Sequence, residues 1–161
     1  MENGLGYLII KPDARPYPTP AEGELGAGPA YPMPAAKILG AAHGRRLAFR
    51  PQSVVNISGM SFGALSSAAV EALNRGAAMA PCLQNTGEGG LSEHHRHGGE
   101  LIFQIGTGYF GCRDADGRFD PDALLETIGR GPVRALEIKL SQGAKPGVGG
   151  MVPAAKMTPE I

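Results

Sequence analysis

Between residues 53 and 140 the chain alternates short apolar runs with helical stretches, and a glycine cluster follows most of the runs. That alternation constrains the fold more than any other feature. Residues 54–58, 82–85, 101–105 and 134–140 read as strands, rich in β-branched and apolar side chains. Ser66 reads as the N-cap of a helix running to about Ala80, with Ala69, Leu73, Gly76 and Ala77 on one face. Asp120 and Pro121 pair an N-cap with a proline at the first helical position, and this helix ends near Gly129 or Gly131. Strand–helix–strand order calls for a parallel sheet with covering helices.

The lead-in is different. Seven prolines fall within residues 11–34, where fixed φ angles and missing donors favour an extended, irregular arm. A short helix is expected over about residues 34–42, ending before Gly44. The chain therefore divides into an N-terminal extension, residues 1–52, and an α/β region, residues 53–161. Lys plus Arg and Asp plus Glu number 15 each, so no basic excess points to nucleic acid. No apolar run has the length of a signal core or a membrane span, and a soluble cytoplasmic protein is expected. Cys82 and Cys112 lack the spacing of a disulfide framework or a structural zinc site and are expected as free thiols.

Several glycine-rich segments carry possible chemistry. Residues 59–63 fit G-x-S-x-G between a strand and a helix, the setting of a nucleophile elbow at Ser61. The only later histidines are crowded at 94, 95 and 97, so the order of a hydrolase triad is poorly met, and a tight turn is the plainer reading. Residues 106–111 fit G-x-G-x-x-G, but turn chemistry follows where a dinucleotide site needs a helix. Glu88 stands among glycines, either a solvated loop carboxylate or a site residue. The run Glu93-His94-His95-Arg96-His97 lacks zinc-ligand spacing and reads as a polar loop. On a strand, Glu137 and Lys139 share one face, and two charges on one face of a parallel sheet need partners. Gln142 and Lys145 follow, and two cations with an amide suit a ligand bearing carboxylates.

Taken together, residues 56–66, 85–90, 104–111 and 137–147 resemble, in the same order, the FMN-binding synthase domain of glutamate synthase. The resemblance covers about residues 50–161 and implies a (β/α)8 barrel with FMN at its C-terminal mouth. It implies formation of L-glutamate from 2-oxoglutarate and ammonia or glutamine-derived nitrogen, by hydride transfer from reduced FMN to 2-iminoglutarate. It places Gly59, Met60 and Ser61 along the flavin and Gln104 at the ring's polar edge. Lys139 lies near flavin and substrate, Glu88 near the imine as a proton-handling group, and Gln142 and Lys145 on the 2-oxoglutarate carboxylates. The family's iron–sulfur cysteines and amidotransferase region have no counterpart in these residues. A barrel of this type needs about 200–250 residues. The expectation is therefore a partial barrel of about four strands, with Thr158-Pro159-Glu160 starting a helix that is not completed. Its remaining half would come from the same reading frame or a partner chain. Two other readings stand beside it: a non-catalytic half-barrel that needs a partner, and a subunit resembling N-methylglutamate synthase.

Overall fold

The computed structural model describes residues 38–53 and 55–141. The proline-rich arm, Val54, Gln142, Lys145 and the helix start at Thr158 lie outside the described residues.

The architecture is α/β, with a three-stranded parallel sheet in the order β1 (Gln84–Asn85), β2 (Leu101–Ile105), β3 (Val133–Ile138). Helix α1 (Ser67–Met79) precedes β1, and α2 (Pro121–Gly129) connects β2 to β3. Both helices start where local chemistry puts them. The Ser66 hydroxyl accepts the Ala69 N–H, and the Asp120 carboxylate accepts those of Asp122 and Ala123, with Pro121 in the first turn. Among the described residues 55–58 of the expected strand, the pairing is one parallel bridge. Ile57 donates to Leu83 O at 2.8 Å, and its carbonyl accepts the Asn85 N–H at 2.9 Å. Asn56 contributes with its side chain, which accepts the Leu83 N–H and so takes the place of a longer ladder. The expected helix over residues 34–42 is, within the described part, a single 3-10 turn at Ala41–His43 closed by Gly44.

Alternation along the strands separates two faces. Gln84, Leu101, Phe103 and Ile105 lie on one, and all are buried. Leu124 and Ile128 of α2 pack against Phe103, Ile105 and Cys112 there. The other face carries Asn85, Gln104 and Glu137. An extra residue in β3 sets this phase: Leu101 pairs with Val133, but Ile102 pairs with Ala135, so Gln104 stands beside Glu137.

The buried stripe of α1 is Val70, Asn74 and Ala77, one position round from the expected 69/73/76/77 face. Asn74 causes the rotation. Fully buried, it donates to Gln84 Oε1 at 2.7 Å and accepts the N–H groups of His97 at 2.7 Å and Gly99 at 3.1 Å. One amide thus ties α1 to β1 and to the loop before β2. Asn74→Ala strands two backbone donors and a side-chain acceptor, and should cost about 2–3 kcal/mol in a urea unfolding experiment. A loss below about 0.5 kcal/mol would show that water replaces the amide at no cost.

Candidate functional site at the carboxyl ends of the strands

Lys139 is the first residue past β3, and its N–H still donates to Ile105 O at 3.0 Å. The ladder therefore fixes the base of its side chain. Its Nζ lies 3.1 Å from Glu88 Oε2, in the loop after β1, and the two side chains are 29% and 28% exposed. A half-buried pair of this kind joins two strand-end loops 51 residues apart in sequence. The Glu88 loop is pressed on the loop after β2: a Cβ on Gly106 would lie 2.6 Å from Glu88 Cβ.

The second charge on this face is answered as well. Glu137 Oε1 accepts the Asn85 Nδ2–H at 2.8 Å and a short hydrogen bond from Gln104 Nε2. Asn85 Oδ1 accepts the Gly87 N–H at 2.9 Å. The Gln104 N–H goes to Thr86 Oγ1 at 3.1 Å. Both amide side chains are buried, Asn85 at 4% and Gln104 at 8% exposure.

The turn at residues 59–63 lies directly over this network. Gly59 is exposed, and a Cβ there would approach Gln104 Nε2 and Gly87 Cα, each to 3.3 Å. A bare backbone at 59 therefore leaves the Gln104 amide uncrowded. Met60 is engaged through its main chain, its N–H donating to Asn85 O at 3.3 Å. Its carbonyl faces His95 Nε2 at 3.2 Å. Gly87 and Gly89 both pack on Ser61. Close contact between loops accounts for these two glycines.

Residues 93–97 are more ordered than the expected polar loop. Glu93–His95 form a 3-10 turn capped by Ser92, and His95 is fully buried. A carbonyl can only accept, so Nε2 carries the His95 proton toward Met60 O. Nδ1 then accepts from Ser92 N at 3.3 Å and sits 2.9 Å from Ser92 Oγ. The other two histidines serve α1. His94 Nδ1 lies 2.8 Å from Glu71 Oε1, and His97 Nδ1 is 3.1 Å from Arg75 Nη2. The His94 hydrogen bond, reinforced by His97 and Arg75, holds the Glu71 carboxyl below its usual range. Each of these three histidines is bonded elsewhere than to Ser61, so none of them serves the elbow serine as a base. At residues 106–111 the chain makes turns, with Tyr109 at φ 53°, and a hairpin follows where a dinucleotide fingerprint would open a helix.

Burial pushes the His95 pKa down, with a smaller contribution from nearby His94. The unfolded chain therefore takes up a proton, at about pH 6.5, that the folded chain refuses. Stability from this group is complete above that pH and declines as acid is added below it. Unfolding free energy should be lower at about pH 5.5 than at about pH 7.5, and His95→Gln should flatten part of that slope. An unchanged slope in the variant would assign the acid sensitivity to other groups.

Among the predicted site residues, Gly59, Met60, Ser61, Glu88, Gln104 and Lys139 gather at one end of one parallel sheet. Gln142 and Lys145 lie outside the described residues. Asn85, Glu137 and His95 belong to the same assembly and had been given no role. The unanswered charge at Glu137 is the sequence signal for the first two; the histidine run at residues 93–97 draws attention to His95, but nothing in it marks burial against Met60.

Loops at the carboxyl end of a parallel sheet, carrying a lysine, a carboxylate and an anchored amide, define an α/β protein with a polar strand-end site. The chain belongs to the glutamate synthase family: a model described as a conserved region in glutamate synthase matches residues 38–161. It is 43% identical over 115 residues to the glutamate synthase large subunit-like protein YerD of Bacillus subtilis (strain 168), covering 70% of this chain and 22% of that protein. To a glutamate synthase large subunit-like protein of Rhizobium meliloti (strain 1021) it is 35% identical over 122 residues, 73% of this chain and 25% of that one. An archaeal glutamate synthase (NADPH) of Archaeoglobus fulgidus is 38% identical over 108 residues, 66% of this chain and 19% of its own length. The chain thus spans a quarter or less of each of these relatives. No solved structure matches it. Among the described residues, no helix is long and apolar enough to cross a membrane.

Proposed function

We propose that the described unit is the opening part of a (β/α)8 barrel. In this reading its strand-end face serves an FMN-dependent glutamate synthase-like oxidoreductase that forms L-glutamate from 2-oxoglutarate and ammonia or glutamine-derived nitrogen. The observation that carries the reading is the Lys139–Glu88 pair, held at 3.1 Å by two different strand-end loops beside the buried Gln104 amide. Barrel enzymes keep their chemistry at this end of the strands. A flat ring with a polar edge suits the donor set: an exposed glycine, an uncrowded amide and a fixed cation.

FMN, when bound, would supply the hydride that reduces the imine of 2-oxoglutarate. Gln104 then hydrogen-bonds the ring edge, and Gly59, Met60 and Ser61 present main chain to its surface. The Lys139 charge favours an anionic reduced ring. Glu88 orients that lysine and handles the proton of the incoming nitrogen. Gln142 and Lys145, next on the chain after β3, take the substrate carboxylates. The remaining strands come from further barrel sequence or a partner chain, a reading supported by the greater length of the relatives. NADPH in the name of the archaeal relative supports a nicotinamide as the source of electrons.

The test is FMN titration of the protein joined to its remaining barrel strands, followed by 2-oxoglutarate, ammonium and a reductant. One equivalent of bound FMN, a change in its visible band on adding 2-oxoglutarate, and formation of glutamate are expected. Failure to bind FMN overturns the site, and FMN binding without glutamate formation overturns the reaction.

A further inference from the structure

We propose that Glu137 is a positioning residue: it locks the Gln104 amide so that Gln104 offers a carbonyl oxygen, and so reads a hydrogen-bond donor on the ring edge. The inference rests on the flavin reading above for its ligand, but its geometry belongs to this chain alone.

An amide presents an oxygen and a nitrogen of nearly equal size, and rotation by half a turn exchanges them. A buried glutamine with no fixed neighbour can therefore present either a donor or an acceptor to a ligand. An ionised carboxylate removes the choice, because it accepts only. Glu137 Oε1 takes the Gln104 Nε2–H and, at 2.8 Å, the Asn85 Nδ2–H. The Asn85 amide is oriented twice, since its Oδ1 also accepts the Gly87 N–H at 2.9 Å. The parallel register sets Gln104 directly beside Glu137. Reversing Gln104 would bring its carbonyl oxygen against the carboxylate, two acceptors with no proton between them.

Gln104 Oε1 is consequently held away from Glu137. On a flavin, the edge group that matches an acceptor is the ring imide N–H. A ring edge offering a carbonyl in that place would meet a second carbonyl and be disfavoured. Glu137 need not touch the ligand to impose this preference.

The test has two arms. In the first, without flavin, the Gln104 and Asn85 side-chain amides are followed by nitrogen-15 NMR. Couplings across the hydrogen bonds to the Glu137 carboxylate carbon are expected in the unsubstituted protein. Their absence from Gln104 overturns the proposal whether or not any variant folds. Glu137→Leu should lose the downfield shift of both amides, whereas Glu137→Gln, which keeps an acceptor oxygen, should retain most of it. Equal spectra for the two variants overturn the proposal. In the second arm, FMN binding by the barrel-complete protein should weaken about tenfold in Glu137→Leu and by no more than about twofold in Glu137→Gln. Equal weakening in both variants would mean that charge, not amide orientation, is what Glu137 supplies, and would overturn the assignment. If the unsubstituted protein binds no FMN, the flavin reading fails and the donor preference for a ring edge falls with it. The couplings alone then decide whether Glu137 orients Gln104.

Discussion

Gly87→Ala should cost about 3–5 kcal/mol of folding stability, the largest loss expected from a single methyl group in the described residues. Two penalties coincide. Gly87 has φ +71°, a conformation that side chains strain to adopt. A Cβ there would also lie 2.6 Å from Ser61 N and 3.0 Å from Ser61 Cα, atoms of a neighbouring backbone turn. That turn has little room to yield. Met60 N–H is bonded to Asn85 O, and its carbonyl to His95. The methyl group must therefore disturb residues 59–61, the segment proposed to line the flavin. Urea unfolding of the variant measures the effect, and a loss below about 1 kcal/mol would show that the two loops separate freely.

On the proposed function, Lys139→Met should lower the turnover of the FMN-loaded, barrel-complete protein about 10²–10³-fold, the loss typical of removing one preorganised charge. Methionine keeps much of the length and apolar bulk of lysine, so the packing beside β3 changes little. What disappears is the cation, and the Glu88 carboxylate loses its partner at 3.1 Å. Loss of a positive charge disfavours the anionic reduced ring, so the flavin midpoint potential should fall by about 20–40 mV. Potential and turnover must drop together. A normal potential with slow turnover would move the role of Lys139 from the ring to the substrate.

Local chemistry was the legible part of this fold. Ser66 and the Asp120–Pro121 pair marked both helix starts because a cap depends on a few adjacent residues. β2 was legible end to end because four of residues 101–105 are apolar and the run is bounded by Glu100 and Gly106. The strand at 54–58 was overestimated because β-branched composition does not guarantee a ladder. Here the Asn56 side chain bonds the neighbouring strand instead. Asn74 rotated a helix face that apolar periodicity had placed one residue away. Its burial depends on two backbone donors more than 20 residues distant, which periodicity cannot see. His95 was hidden for the same reason, as the carbonyl that its Nε2 meets, Met60 O, lies 35 residues away. At the site, the family's motifs supply the proposed residue set, and the need of Glu137 and Lys139 for partners is apparent from their shared strand face. Which partner each would take was not. That depends on a register irregularity at Leu101–Ile102 that leaves no mark in composition.

The same irregularity has a consequence for which length changes the protein can tolerate. Insertion or deletion before Arg134 alters the connection from α2 and can be absorbed there, because the bulge resets the phase of β3 after it. An insertion of one residue directly after Ala135 has no such buffer. It would turn Leu136 and Ile138 toward the polar face and send Glu137 and Lys139 to the helix side. Variation in loop length among functional relatives should therefore collect on the upstream side of Arg134.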